Sequence, residues 1–264
     1  MAMLAEKFHR PHHIRLRRWM LFFGGVIFIH VFIDAFNNYG VGWFEPFTHQ
    51  RITFNALYIA DPFFSIWPGV ALLALISLKR WKKSRVTWVR IGLGVSAVYL
   101  IYCLFNKYRI DQQVKTILQR HQIKYERYFS TPAPLQNWLW YVVAGNDSGY
   151  HVGFRSLFDR KNEIRFTFFP RNDSLLTAVA DHEEVQKLIR FSRQFYTAER
   201  WKDTLVFNDL RFGQITGWHD PQQKFVFHYF LSHPHDNRMV VQRGRFTNWD
   251  KETFFSLVNR VKGN

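Results

Sequence analysis

His30 and Asp34 stand four residues apart inside the apolar run Trp19–Phe36 (WMLFFGGVIFIHVFIDAF). On a helix that spacing puts both side chains on one face. An imidazole and a carboxylate one turn apart are half of a common site for Zn, Mn or Fe. They are equally a hydrogen-bonded pair that braces a helix end, because an ionisable group in an apolar run is expensive unless it is paired or coordinated. Spacing alone leaves both readings open. Asn37, Asn38, Tyr39 and Gly40 follow, and Gly40 suits a left-handed turn after the helix. Glu45, Arg51 and Asp61 are the remaining charges before the next apolar run. Asp61 is a candidate further ligand or supporting partner and Arg51 a candidate anion holder. The plainer alternative is salt bridging at a membrane surface. No catalytic residue is assigned beyond this metal site.

Other histidines carry less. His9, His12 and His13 lie in a basic lead-in and read as a solvated flank. His228, His233, His235 and Asp236 read as a surface loop around a strand end. No GxSxG, P-loop, GxGxxG or HExxH pattern occurs, so serine-hydrolase, nucleotide-binding and zincin classes have no local support. The single cysteine, Cys103, sits in an apolar run, which excludes an intrachain disulfide and a four-cysteine zinc site.

The elements that must position the His–Asp pair are apolar. Trp19–Phe36, Phe63–Leu78 and Val86–Phe105 approach the roughly 20 residues that a helix needs to span a bilayer. The net charge of +16 raises a nucleic-acid reading. Its placement argues for a membrane instead. Residues 1–105 hold 12 Lys/Arg against 4 Asp/Glu, clustered at Arg15–Arg18 and Lys79–Arg85, beside the apolar runs. Nucleic acid is therefore ranked last and the lipid bilayer first among partners. Basic flanks inside and a loop at 37–62 outside, with Arg51 as its only Lys/Arg, place residues 106–264 outside, after three spans. The basic residues Lys107, Arg109, Lys115 and Arg120 count against that orientation.

From Asn106 the texture becomes amphipathic, with Ile110, Val114, Ile117 and Leu118 at helical spacing. Ser130–Pro134 reads as a turn or linker. Strands are predicted at Trp138–Ala144, Tyr150–Ser156, Ile164–Phe169, Leu205–Phe212, Phe225–Leu231 and Met239–Gln242. Helices are predicted at Leu175–Phe191 and, capped by Asp250, through Val261. The fold class is α+β: N-terminal transmembrane helices, then a mixed α+β soluble domain. The expected divisions are a basic lead-in at 1–18, a membrane region at 19–105, a helical stalk at 106–129 and the soluble domain at 130–264.

Three ordered pieces of sequence resemble the membrane-bound metal-dependent hydrolases of the YdjM-like type, described as LexA-regulated inner-membrane hydrolases. The first is His30-x-x-x-Asp34 leading into Asn38-Tyr39-Gly40. The second is Glu45-Pro46-Phe47, then Arg51, Phe54-Asn55 and Asp61-Pro62. The third is Thr131-Pro132 with Leu135, Asn137, Trp140 and Tyr141, then Gly149-Tyr150, Gly153 and Ser156-Leu157. Together they span residues 15–160. The resemblance implies a multi-pass inner-membrane protein whose divalent ion is held by His30 and Asp34, acting on a small-molecule or envelope substrate. The family's P-D-x-D and H-R-x-x-T-H-S motifs are missing, so the comparison implies a chain lacking the N-terminal part and an incomplete, inactive site. The alternative is a non-catalytic, membrane-anchored binding or structural module.

Overall fold

A computed structural model of the protein describes residues 1, 3–4, 7, 14–179, 182–232, 240–242 and 249–263. His9, His12, His13, His233, His235 and Asp236 lie outside them. The chain forms two compact units, Met1–Asn55 and Ala56–Asn264.

The first unit is built on α1 (Leu16–Asp34), a helix of 19 residues none of which is buried. A helix apolar all round has no solvent-facing side, and its natural medium is lipid. Beyond Asp34 the chain folds back on itself. Val41 and Ile52 exchange two backbone hydrogen bonds of 2.9 Å, and the Phe54 amide reaches the Ala35 carbonyl at 2.8 Å.

The second unit opens with an antiparallel helix pair. Asp61 caps α2 (Pro62–Ser77), with Pro62 at the first position, where its missing N–H costs nothing. The helix α3 (Ser84–Arg120) runs unbroken for 37 residues. The two meet closely at Gly92, where a Cβ would lie 2.7 Å from Ala71 Cβ and 2.9 Å from the Trp67 carbonyl oxygen. Small residues let apolar helices approach in lipid in this way. Ser96 Oγ adds a 2.8 Å bond to the Phe64 carbonyl. Arg85 donates to the Leu75 and Leu78 carbonyls and closes the basic turn between the helices. Among the described residues, α1 and α3 are long and apolar enough to cross a membrane; α2 is apolar but shorter.

The α+β character expected from sequence holds. β1 (Arg127–Pro132), β2 (Leu139–Asn146), β3 (Gly149–Ser156) and β4 (Thr167–Pro170) form one antiparallel sheet in that order. β5 (Tyr196–Trp201), β6 (Thr204–Gln214), β7 (Phe225–Ser232) and β8 (Val240–Gln242) form the second. β2 shows why its sequence, LWYVVAGN, is almost continuously apolar. Trp140, Val142 and Ala144 pack on Ile110, Val114, Ile117 and Leu118 of α3. The alternate residues Tyr141 and Val143 join Phe129, Tyr150 and Val152 against Phe195, Leu210 and Phe225 of the second sheet and its approach. A strand buried on both faces loses the polar alternation of a surface strand. The far face of the second sheet packs on α4 (His182–Phe191) and the 3-10 helix Asp173–Ala178. α5 (Lys251–Val261), capped by Asp250 at 2.7 Å to the Thr253 amide, covers the remaining end through Leu257.

Three expectations need correction. Ser130–Pro134 is not simply a linker, because Ser130–Pro132 complete β1. That strand is at a sheet edge, where a terminal proline is tolerated. Leu175–Phe191 is not one helix; Val179 is extended and buried in the core cluster, and it ends the 3-10 turn before α4 begins. His228 is not in a surface loop but fully buried in β7, with Nδ1 3.2 Å from the Phe225 carbonyl oxygen.

Candidate functional site

His30 and Asp34 come together in the last turn of α1. Nε2 and Oδ2 are 3.4 Å apart, with the two side chains 77% and 42% exposed. The other carboxylate oxygen, Oδ1, accepts a 3.4 Å bond from Asn37 Nδ2. Asn37 is itself held, since its Oδ1 accepts from the Tyr39 amide at 2.8 Å and the Gly40 amide at 3.4 Å. Its carbonyl accepts from Thr53 Oγ1. Gly40 adopts φ +69°, and a Cβ there would stand 2.8 Å from the Ile52 carbonyl oxygen. Glycine is thus required twice over, for the dihedral and for the space. Arg51 spans the same turn: Nε reaches the Tyr39 carbonyl at 3.1 Å and Nη2 the Gly40 carbonyl at 2.9 Å. Tyr39, Gly40 and Arg51 therefore form the fold-back that follows the His–Asp pair.

Asp61 belongs to the second unit and is 1% exposed. Oδ1 accepts from the amides of Phe63 at 2.9 Å and Phe64 at 3.3 Å, and Oδ2 from Tyr99 Oη at 3.0 Å. Both oxygens are engaged by protein donors. Among the described residues, no group of three His, Cys, Asp or Glu is placed to hold a metal ion.

In a tetrahedral site with ligand bonds of about 2.0–2.1 Å, neighbouring donor atoms are about 3.4 Å apart. The His30–Asp34 separation meets that value, and the donor types suit Zn, Mn or Fe. The pair fits as two of the roughly three protein ligands that a catalytic ion uses.

A second polar cluster was not visible in the sequence pattern. Lys107 and Asp111 on α3 form an i,i+4 pair at 3.0 Å. Lys107 Nζ also donates to the Ser130 carbonyl at 2.9 Å and approaches Ser130 Oγ at 2.8 Å. Asp111 Oδ1 accepts from Tyr128 Oη and Ser130 Oγ, both at 2.6 Å. Burial pushes the Lys107 amine below its usual value, partly opposed by the charge of Asp111. At the preceding residue of α3, Asn106 Nδ2 donates to Asn137 Oδ1 at 3.0 Å, and Asn137 Nδ2 to the Ala56 carbonyl at 2.8 Å. Trp138 Nε1 then donates to Tyr102 Oη at 3.0 Å. The i,i+4 spacing of Lys107 and Asp111 was the only sequence signal, since their partners come from β1.

The fold and these two clusters define a class: a membrane protein in which apolar helices carry a mixed α+β domain locked onto the end of a long helix. Residues 1–110 match the model of the family described as YdjM inner membrane protein. The match covers α1, α2 and most of α3, and it ends before β1. No curated protein and no solved structure matches the chain.

Proposed function

We propose that the protein is a multi-pass inner-membrane, divalent-metal-dependent hydrolase in which His30 and Asp34 supply two of the metal donors. The observation that carries the reading is the 3.4 Å separation of His30 Nε2 and Asp34 Oδ2, exposed at the end of a lipid-seeking helix. A divalent ion bound there would supply Lewis-acid activation of water for attack on a small-molecule or envelope substrate. The chain's own part is to hold and aim the donors. Asn37 fixes the Asp34 carboxylate from behind, and the fold-back clamped by Arg51 fixes Asn37. Asp61 acts within the second unit, as the cap of α2. The remaining positions around the ion fall to water, substrate or donors outside the described residues.

The orientation follows from charge. Basic residues at 15–18 and 79–85 stay in the cytoplasm, and three crossings put the α+β domain on the periplasmic side. Lys107 does not oppose this, because its charge is paired with Asp111 and shielded.

A second reading is favoured by the pair's isolation among the described residues: a non-catalytic, membrane-anchored binding module in which His30 and Asp34 only brace the helix end. Metal content of the detergent-purified protein separates the two. Stoichiometric Zn, Mn or Fe that disappears in both His30→Ala and Asp34→Ala supports the metal site. A metal-free parent protein, or metal retained in both variants, overturns it in favour of the binding module.

A further inference from the structure

We infer that α5 is an interfacial helix: its outer face, with Phe254 and Phe255, lies in the headgroup region of the same bilayer that α3 crosses. The starting point is which end of the β-domain faces the membrane. Trp138 bonds to Tyr102, which lies within the apolar part of α3, about 4.5 Å before its end at Phe105 by helix rise. The loop at 133–138 therefore sits at membrane level. The strand ends around that loop carry α5. The Leu157 amide donates to the Trp138 carbonyl at 2.9 Å, and Ser156 Oγ donates to the Val261 carbonyl. Arg260 grips Asp159 at 2.7 and 3.1 Å and the Phe154 carbonyl at 2.9 Å. Leu257 is buried against Ala133, Leu139 and Trp218. Thus α5 closes the sandwich at its membrane-proximal end, and its opposite face points away from the domain.

That face has the composition of an interfacial helix. At about 100° per residue, Phe254, Val258, Lys251, Lys262 and Phe255 fall within an arc of about 100°, with Leu257 pointing inward and Glu252 outside the arc. Phe254 and Phe255 are 49% and 61% exposed. Phe158, 53% exposed, continues the apolar surface beside the helix's C-terminal end, where a Cβ on Gly263 would touch the Phe158 carbonyl. Aromatic rings flanked by lysines are what a lipid interface takes up: rings enter the headgroup–acyl boundary while ammonium groups meet phosphates. The occupant is the phospholipid surface rather than a second protein, because α5 sits at the membrane-level end of the domain and its rings lie between Lys251 and Lys262, with Asp250 and Glu252 beside the first of these.

The test uses the full chain in liposomes of phosphatidylethanolamine and phosphatidylglycerol. Nitroxide labels are placed singly through Phe255→Cys and Ser148→Cys in a Cys103→Ala background, and collisions with oxygen (lipid-soluble) and a nickel chelate (water-soluble) are compared. Ser148 is exposed in the β2–β3 turn at the opposite end of the domain. At position 255 oxygen collisions are expected to exceed nickel collisions several-fold, with the reverse at position 148. A water-like ratio at position 255 overturns the proposal. Low collision with both reagents also overturns it, since protein and not lipid would then cover the helix. Reversing Lys251 and Lys262 to Glu is expected to move the ratio at position 255 toward water; an unchanged ratio removes the lysines' part. None of these outcomes depends on metal content.

Discussion

Two i,i+4 ion pairs stand at the ends of apolar segments in this molecule, and they behave in opposite ways. Lys107–Asp111 is closed at 3.0 Å, with side chains 16% and 22% exposed, and is completed by Ser130 and Tyr128 from a strand. His30–Asp34 is open at 3.4 Å, mostly exposed, and backed by a single asparagine three residues on. Identical spacing on a helix therefore yields a structural lock in one place and an accessible pair of donors in the other. The difference comes from what packs on the helix. A β-strand lies across the second half of α3, whereas no residue of α1 is buried. Burial turns a charge pair into architecture, and exposure leaves it available to a ligand.

The contrast can be broken by substitution. Asp111→Ala strips the partner from a shielded amine, and breaking a buried pair is expensive; about 3 kcal/mol of domain stability should be lost in denaturant unfolding. Asp61→Ala removes a helix cap and the acceptor of Tyr99, with an expected loss of about 1–2 kcal/mol by the same measurement. Asp34→Ala should change unfolding by less than about 0.5 kcal/mol, as befits an exposed position. A loss there as large as that of Asp111→Ala would mean that the first pair is structural too.

The smallest expected effect concerns pH. At the far end of the domain, Asp147 is held below its usual carboxylate value by the Arg127 hydrogen bond and charge, then by Arg171. The unfolded chain takes up this proton first as pH falls, so the stabilisation is present above about pH 4 and lost as pH falls through the lower folded value. Asp147→Asn should lower the unfolding midpoint slightly at pH 7, with the difference from the parent protein closing as pH falls below about 4. A difference that persists undiminished at low pH would point to a role beyond charge.

The apolar segments, the amphipathic continuation at Ile110–Leu118 and most strands were legible because burial leaves periodicity in the sequence. Two edge strands were not. β1 contains Ser130, Thr131 and Pro132, which read as turn residues, and its pairing to β2 rests on backbone bonds made across the chain. β5, at the edge of the second sheet, mixes Glu199 and Arg200 with apolar neighbours and gave no clear alternation. The His30–Asp34 pair was found because both members lie within one helical turn. The Lys107 cluster was missed because Tyr128 falls in the stretch expected as a helical stalk and Ser130 in the expected turn or linker, whereas both belong to β1. Asp61-Pro62 carries the signs of a helix cap and of a metal partner at once, and spacing does not separate the two. Family likeness helped with the membrane part only: the match ends at residue 110, whereas the third piece of the resemblance, from Thr131 to Leu157, lies beyond it.

The unbroken course of α3 has a mechanical consequence. A helix of 37 residues is about 55 Å long, and it runs from its apolar first part into the domain without a break. Tilting such a rod by about 20°, ordinary for a spanning helix, sweeps its far end sideways by about 19 Å. With such a helix spanning the bilayer, the domain would travel as a rigid passenger, free to sweep sideways but held near one height, and its encounters would fall in a thin layer parallel to the membrane.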